Sequence, residues 1–364
     1  MTKKFKTGVI GFAHMHVNGL LDNFSELDCI EWVACADTEP QTPSLSEEPF
    51  TRKANIKRAK DKTGIPKVYD DYRKMLDEES FDIIIFCPEN GQKATVAADI
   101  AEHGIDMFTE KPLAADLSEA LKIKRAVDFN DVSLMVNWPT TWSPAIRKAY
   151  SLIQDNEIGD VWEIKWRNGA SLGPLAYGQD ISEKEKGAEW WHQADAGGGA
   201  LLDYCCYGAC LSRWFLGKSA EAARGIKANL QSHYGDAEDN AVITVRFPDA
   251  IAILEGTWTT YNTGIPGGPI IYGNQGTIVI NDGKVELYKE RKSDEPTSIL
   301  TGELPENRNN PAKEFIYHLQ TGDELHPTLD LPINIDAMAI LDAGSQSAES
   351  GKEEIVDNIN WNIG

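Results

Sequence analysis

Short apolar runs alternate with helical stretches through the first 137 residues of the chain. Strands are predicted at residues 7–10, 32–36, 83–87, 106–109 and 132–136, and helices at 17–24, 54–62, 95–103 and 118–130. Strands that alternate with helices form βαβ units around a parallel sheet. The pattern predicts an α/β domain with a parallel sheet and a polar surface insertion at residues 41–52.

The rhythm changes at residues 137–144, where two prolines and two tryptophans mark a domain boundary. Beyond it, turns separate most apolar runs, which predicts an α+β domain with an open, mainly antiparallel sheet. We therefore predict two domains, 1–137 and 138–364, with a closing helix at about 335–350 as a candidate to pack back on the first domain. The other predicted elements of the second domain are helices at 146–154 and 201–216 and strands at 161–168, 241–247, 252–259, 277–280 and 284–288.

The net charge of the chain is −22, from 57 acidic and 35 basic residues. A surface of that sign repels nucleic-acid backbones and anionic membranes, so neither is expected as a partner. No apolar run approaches the roughly 18–20 residues of a membrane helix, and no signal peptide is predicted. The six cysteines suit reduced thiols, and we predict a cytoplasmic protein without disulfides.

Three of the cysteines, Cys205, Cys206 and Cys210, share one predicted helix, and His192 lies upstream. A zinc site is an alternative interpretation of this group. Adjacent cysteines on a helix point about 100° apart, however, and the C-x-x-C spacing of zinc sites is absent. We therefore predict no metal site.

The first strand leads into a glycine-containing turn, Gly8-Val-Ile-Gly-Phe-Ala-His-Met-His16. A strand–turn–helix unit binds dinucleotides through G-x-G-x-x-G, but here alanine and histidine replace the second and third glycines. The helix behind the turn still presents free N–H groups and a positive dipole end to a pyrophosphate. For His16, an adjustment of helix packing is the alternative to a contact with a ligand. The residues predicted to line the cofactor here are Gly11, Phe12, Ala13, His14 and His16.

Asp37 closes the second predicted strand, where an acidic side chain accepts hydrogen bonds from the adenosine ribose of a dinucleotide. The 2′-phosphate of NADP would meet this negative charge. No arginine or lysine follows until Arg52, so the sequence favours NAD over NADP. The other interpretation is an ordinary aspartate at a strand end.

Two further motifs lie far apart in the chain. Glu110-Lys-Pro112 follows a predicted strand directly, and Gly197-Gly-Gly-Ala-Leu-Leu-Asp203 is followed by Tyr207 four residues after its aspartate. Together with the opening strand–turn–helix, they resemble the glucose–fructose oxidoreductase/inositol dehydrogenase (Gfo/Idh/MocA) family. The resemblance covers nearly the whole chain, through the segments 158–161, 272–277 and 347–351.

The resemblance implies a Rossmann domain with Lys111 beside the nicotinamide, and a helix that carries Asp203 and Tyr207 into the same cleft. Residues four apart share a helix face, which agrees with this arrangement. Most relatives have histidine in place of Tyr207; the departure resembles the glucose–fructose oxidoreductase and dihydrodiol dehydrogenase branches, where a tyrosine is the acid–base group. We expect Lys111 to lower the pKa of Tyr207, which then takes the substrate proton, while Asp203 orients the substrate or Lys111. The structural alternatives are a surface lysine, a helix-capping aspartate and a core tyrosine.

Relatives also have a turn under the nicotinamide, which corresponds here to residues 88–91. We expect Pro88, Asn90 and Glu110 to contact the cofactor. Lys93 stands near the position of a family histidine, with an apparent shift of one residue. His192 and Trp138 are predicted to bind substrate, and packing at a domain junction or an oligomer interface is the alternative for Trp138.

The sequence therefore predicts an NAD(H)-dependent oxidoreductase that transfers a hydride between nicotinamide and an alcohol of a sugar, cyclitol or related polyol. Lys111 and Tyr207 are the predicted acid–base pair. Two alternatives stay open: an enzyme that retains NAD and uses transient oxidation for glycosidic cleavage or epimerisation, and a non-catalytic cofactor-binding regulatory protein. We also expect a homodimer or homotetramer through the second sheet, because one face of such a sheet lacks helices.

Overall fold

The first half of the chain forms a parallel α/β domain. The structure, a computed structural model, describes residues 3–169, 181–261 and 264–357. The elements of this half are β1 (Phe5–Phe12), α1 (Val17–Ser25), β2 (Ile30–Ala36), α2 (Arg52–Thr63), β3 (Lys67–Tyr69), α3 (Tyr72–Glu78), β4 (Ile83–Cys87), α4 (Lys93–Glu102), β5 (Asp106–Glu110), α5 (Leu117–Asn130) and β6 (Leu134–Asn137). The six strands are parallel in the order β3-β2-β1-β4-β5-β6, so the strand order reverses between β1 and β4.

The second half adds a nine-stranded sheet with helices. Its elements are α6 (Pro144–Gln154), β7 (Val161–Asn168), α7 (Glu183–Ala188), α8 (Cys206–Leu216), β8 (Ala222–Ala228), β9 (Asn240–Arg246), β10 (Ile251–Thr257), β11 (Ile270–Gly273), β12 (Thr277–Asn281), β13 (Lys284–Tyr288), β14 (Ser298–Leu300), α9 (Pro311–Thr321), α10 (Leu331–Ser350) and β15 (Glu354–Ile355). The strand order is β14-β13-β12-β11-β7-β10-β9-β8-β15, and every pairing is antiparallel except that of β7 with β10.

The predicted fold class is confirmed, with a parallel sheet followed by a mainly antiparallel one. The sequence patterns missed several elements. Strands β3 and β14 have three residues each, too few to show a period, and β8 and β11 contain glycine, which weakens a strand pattern. Helix α9 was missed although Asn310 caps it and Pro311 opens it.

The predicted helix at 201–216 is divided in two. Leu201–Cys205 forms a π-helical turn, and α8 begins at Cys206. A π turn widens the helix locally and is frequent at functional sites. Asp203 therefore lies in the π turn and Tyr207 in the first turn of α8.

Helix α10 packs on both domains. It crosses β8 of the second sheet and also contacts α5 of the first domain. The indole N–H of Trp138, just after β6, donates to Asn334 Oδ1 at 2.8 Å. These contacts hold the carboxyl ends of the parallel strands against the start of α8.

None of the described helices is both long and apolar enough to cross a membrane. The six cysteines are all free thiols, and five of them are buried. Within the described ranges, no group of three or more histidine, cysteine or acidic side chains is placed to hold a metal ion.

Gly225 of β8 lies where α10 crosses the sheet. A Cβ at this position would overlap the carbonyl oxygen of Gly344, so Gly225→Ala must push the helix away. We expect the substitution to lower the free energy of unfolding by about 1–3 kcal/mol in denaturant titrations. Gly19→Ala, at an exposed position of α1 with no atom near the added methyl, is the control and should stabilise by up to about 1 kcal/mol. Equal effects of the two changes would contradict this packing.

Candidate active site

Gly11 lies near the end of β1, where the chain passes over the end of β4. Its φ of 81° is in the left-handed region, and a Cβ there would lie 2.6 Å from the backbone nitrogen of Pro88. Both observations exclude a larger residue. Gly11 is therefore required by the turn, and Pro88 is the residue on which the turn packs.

The turn that follows β1 is bonded to both domains. The N–H of Phe12 donates to Asp37 Oδ1 at 2.9 Å, and the indole N–H of Trp190 donates to the carbonyl of Ala13 at 2.9 Å. Helix α1 begins directly after the turn and has no acidic residue in its first turn. Its N-terminus thus keeps the positive dipole end that suits a phosphate.

A groove with about 980 Å³ of empty space lies beside the N-terminus of α1, against the ends of β5 and β6. Glu110, 1% exposed, lines it: one carboxylate oxygen accepts from the Asn137 amide at 2.5 Å, and the other lies 3.1 Å from His16 Nδ1. A carboxylate accepts hydrogen bonds from ribose hydroxyls, and a helix N-terminus favours phosphate. These groups fit the nicotinamide half of a dinucleotide.

The adenosine end differs from the sequence-based expectation. Asp37 follows β2, and its Oδ1 lies 2.7 Å from Arg52, whose guanidinium also lies 2.8 Å from Glu89 Oε1. Arg52, the first basic residue after Asp37 in the sequence, begins α2 and returns to pair with Asp37 because the segment at 41–52 folds back. Burial raises the pKa of Asp37 and of Glu89, and Arg52 opposes both shifts.

Lys111, Asp203 and Tyr207 meet at the junction of the two domains. Lys111 is 1% exposed, and its Nζ donates to Asp203 Oδ1 at 2.7 Å and to the Asp203 carbonyl oxygen at 2.8 Å. The same Nζ lies 4.7 Å from the centroid of the Tyr207 ring, within the range of a cation–π contact. The structure therefore brings the three predicted catalytic residues together.

The electrostatics of this group are partly unexpected. Burial lowers the pKa of Lys111, but the attraction of Asp203 and other neighbours outweighs it, so the pKa is raised well above its usual value. Burial also raises the pKa of Tyr207, by more than Lys111 lowers it. The expectation of a lowered Tyr207 pKa is wrong, because the ring is buried between Trp138 and Trp166 at centroid distances of 5.6 and 5.7 Å.

Aromatic rings fill the space in front of Asp203. The ring centroids of Trp190 and Trp191 are 4.0 Å apart, and Trp191 lies 4.9 Å from His14. Burial lowers the pKa of His14, so its imidazole is neutral. The gap left between these rings and Asp203 has no room for a water molecule. A ligand could therefore lie beside Asp203 on this side only if the rings moved.

Two other predicted residues have supporting positions. The Asn90 amide donates to the carbonyl of Gly197 at 2.9 Å, which ties the turn after β4 to the triple-glycine segment. Trp138 is buried behind the Tyr207 ring, in an edge-to-face contact. The structure thus places Trp138 as packing for Tyr207, away from any open surface.

His192 lies one layer behind Asp203. Its ring packs edge-on to Trp258 at 5.6 Å, and the Trp258 indole N–H donates to Asp203 Oδ2 at 3.0 Å. Burial lowers the pKa of His192 to about 4, and its buried Nδ1 has no hydrogen-bond partner among the described residues. Sequence reasoning missed Trp258, since a tryptophan after a strand carries no signal of its own.

Lys93 is a second residue whose role sequence reasoning did not find. It begins α4 and is fully buried, and its Nζ donates to the carbonyl oxygens of Glu110 and Pro112, both at 2.6 Å. Burial lowers the pKa of Lys93 to about 7. The only sequence feature that pointed to Lys93 was its position near that of a family histidine. Lys93 shapes the backbone on both sides of Lys111.

The lowered pKa of Lys93 makes stability depend on pH. Above about pH 7 the folded chain releases a proton that the unfolded chain keeps up to about pH 10, so the free energy of unfolding rises with pH through this window. We expect the free energy of unfolding of the wild type, relative to that of Lys93→Met, to rise by up to about 1.4 kcal/mol per pH unit from about pH 7 to about pH 9. Denaturant titrations of both proteins measure this change.

Lys57→Met is the control for this measurement, because Lys57 is exposed on α2. Its stability difference from wild type should stay constant over the same pH range. A constant difference for Lys93→Met as well would contradict the lowered pKa.

Known proteins resemble this chain over both domains. The uncharacterised oxidoreductase YrbE of Bacillus subtilis is 23% identical over 71% of this chain and 68% of its own length. An NADP-dependent D-xylose 1-dehydrogenase of Haloarcula marismortui is 23% identical over 47% of this chain, and this chain spans less than half, 46%, of that enzyme. A levoglucosan dehydrogenase, solved with NADH and levoglucosan, shares the fold with a TM-score of 0.73 and 19% identity, over 98% of this chain and all of its own.

Family patterns match both halves of the chain. Residues 5–138 match the oxidoreductase family with an NAD-binding Rossmann fold, and residues 146–279 match the Gfo/Idh/MocA C-terminal domain. The two matches cover most of the chain, and several of the similar proteins are named as dehydrogenases, which agrees with the predicted NAD(P)-dependent alcohol dehydrogenase. The resemblance inferred from sequence is confirmed: the chain belongs to the Gfo/Idh/MocA family of oxidoreductases with an NAD-binding Rossmann domain.

Proposed function

We propose that this chain is an NAD(P)-dependent dehydrogenase that acts on an alcohol of a sugar, cyclitol or related polyol. The observation that carries the proposal is the buried Lys111 ammonium, which lies 2.7 Å from Asp203 Oδ1 and against the Tyr207 ring. The relatives described above are named for D-xylose and levoglucosan, which supports a carbohydrate-like substrate.

Lys111 is oriented to bind the reacting oxygen. An ammonium has three N–H groups, and two of them are directed at the carboxylate and carbonyl oxygens of Asp203. The other Asp203 carboxylate oxygen is held by the Trp258 indole, so the pair has little freedom to turn. The third N–H of Lys111 is left to donate to a substrate oxygen and to stabilise the negative charge that develops there.

Tyr207 is the proposed proton-transfer partner. Because burial keeps it a neutral phenol, it suits protonation of a carbonyl oxygen in the reductive direction. In the oxidative direction it takes the substrate proton as phenolate, and the adjacent Lys111 ammonium is the group that stabilises that phenolate. We therefore expect alcohol oxidation to speed up as the pH rises.

Residues at both ends of the nucleotide groove would hold the cofactor. When bound, NAD(P) supplies the hydride acceptor at nicotinamide C4. Glu110 and the N-terminus of α1 support the nicotinamide half, and Asp37 supports the adenosine ribose. We favour NAD over NADP because the adenosine end carries two carboxylates, Asp37 and Glu89, against the one positive charge of Arg52, and this excess of negative charge would repel a 2′-phosphate.

A second candidate is a non-catalytic cofactor-binding protein. The rings of Trp190, Trp191 and His14 leave no room for substrate beside Asp203, and this observation favours it. Release of NADH during turnover separates the candidates. A binding protein gives none with any sugar or polyol, and an enzyme that retains NAD forms product without free NADH.

We place the enzyme in the cytoplasm. All six cysteines are free, and burial raises the pKa of the Cys205, Cys206 and Cys210 thiols, which keeps them protonated. Unpaired thiols of this kind suit a reducing compartment.

We also propose a homodimer or homotetramer through the second sheet. Helices α8 and α10 cover one face of this sheet. On the other face Ile226, Val242 and Ile251 are exposed on the adjacent strands β8, β9 and β10, and Ile226 pairs with Val242. Arg224, Thr244 and Arg246 share this face, and the exposed apolar side chains among them would be covered by self-association.

Light scattering tests the interface. The wild-type chain should have the mass of a dimer or tetramer, and the Ile226→Lys/Val242→Lys double variant should be a monomer with an unchanged circular-dichroism spectrum. Phe129→Lys, at an exposed apolar position of the first domain, is the control and should keep the wild-type mass. A monomeric wild type would overturn the proposal.

Substitution of the acid–base pair tests the proposed activity. Lys111→Met and Tyr207→Phe should each lower kcat by roughly a hundredfold or more, measured as NADH formed with a panel of sugars and polyols. Lys57→Met and Tyr261→Phe change exposed residues, the latter 99% exposed, and should leave kcat unchanged. Near-normal turnover in both site variants would end the assignment.

A further inference from the structure

Arg52 spans the crevice in which the adenosine half of a dinucleotide lies in this fold. That crevice opens between the carboxyl ends of β2 and β4, on the two sides of the point where the strand order reverses. Arg52 Nη1 lies 2.7 Å from Asp37 Oδ1 on the β2 side, and Nη2 lies 2.8 Å from Glu89 Oε1 on the β4 side. One guanidinium thus joins the two walls.

Further hydrogen bonds close the same gap. The Thr38 hydroxyl donates to Gln92 Oε1 at 2.7 Å, and Gln92 Nε2 donates to the Glu39 carbonyl at 2.5 Å. Arg52 is 7% exposed and Glu89 is 2% exposed, so the bridge is buried. The two walls are therefore joined by direct side-chain contacts at the end of the groove where an adenosine is proposed to bind.

The bridge also uses the hydrogen-bonding capacity of Asp37. Its Oδ1 accepts from Arg52 and from the backbone N–H groups of Phe12 and Thr38. All three donors lie on Oδ1, and the Asp37 side chain is 20% exposed, so a ribose hydroxyl can reach the carboxylate only through Oδ2. The bridge therefore narrows the access of an adenosine ribose to Asp37.

The two ends of the bridge come from separate segments of the chain. Arg52 ends the polar segment at 41–52 and begins α2, and Glu89 lies in the turn directly after β4. An unpaired buried carboxylate is strongly unfavourable, so the pairing with Arg52 compensates the charge of Glu89.

We propose that the Arg52–Glu89 ion pair is a latch across the adenosine subsite, which the dinucleotide must open as it binds. The inference rests on the proposed function, since it takes the groove to be a cofactor site. If only a fraction of the molecules has an open site, the apparent Kd for the cofactor equals the Kd of the open form divided by that fraction. A latch that keeps most molecules closed therefore weakens cofactor binding. Loosening the latch should therefore tighten cofactor binding, whereas loss of a residue that holds the cofactor would weaken it.

Glu89→Gln tests the latch, because it removes the charge from one end of the bridge and leaves Asp37 unchanged. We expect the Kd for NADH, measured by fluorescence without substrate, to fall by up to about tenfold. Arg52→Lys is a second variant: a lysine keeps the charge but has no fork to reach both carboxylates, so it should also bind NADH more tightly. Glu255→Gln breaks the Arg167–Glu255 pair on the second sheet and is the matched control, with an unchanged Kd expected.

Two fragments of the cofactor locate the effect. Glu89→Gln should bind ADP-ribose more tightly than wild type and reduced nicotinamide mononucleotide equally well. Unchanged or weaker NADH binding in both folded variants overturns the latch and leaves the proposed function standing. If neither NADH nor ADP-ribose binds to the wild type or to either variant, the proposed function fails together with the latch.

Discussion

One buried ammonium joins the two domains of this protein. Lys111 belongs to the first domain and Asp203 to the second, and their side chains lie 2.7 Å apart. Removing the two ions from water costs several kcal/mol per ion before their attraction is counted, so apolar residues of similar volume often stabilise a fold as well as a buried ion pair or better. A role in chemistry therefore explains the presence of this ion pair better than a role in stability. The surroundings agree: Lys93 shapes the backbone of Lys111, Trp258 holds the far oxygen of Asp203, and Tyr207 covers the ammonium.

The features that sequence revealed are those encoded by local patterns. The parallel sheet follows from strands that alternate with helices, and Gly11 follows from a turn that excludes a side chain. The sequence identified Lys111 and Asp203 because each belongs to a motif of adjacent residues. The spacing of Asp203 and Tyr207 was also informative, although a π turn rather than a regular helix brings both against one ammonium.

The features that sequence did not reveal depend on contacts between distant segments. Arg52 lies 15 residues after Asp37 in an insertion without a periodic pattern, so nothing local indicated that it returns to pair with Asp37. The raised pKa of Tyr207 depends on two tryptophans from other elements that exclude water from its ring. The proposed function therefore requires a second conformation, because Arg52 and the Trp190–Trp191 pair occupy the places proposed for the adenosine and the substrate.

The most direct test of the central claim is the crystal structure of the protein with NAD and a polyol that it oxidises. We expect the Lys111 Nζ and the Tyr207 hydroxyl both to lie within about 3.2 Å of the same substrate oxygen. Asp203 should remain bonded to Lys111, and Trp190 and Trp191 should have moved out of the space they fill here. A substrate oxygen bound in another cavity, with Lys111 still enclosed behind these tryptophans, would contradict it.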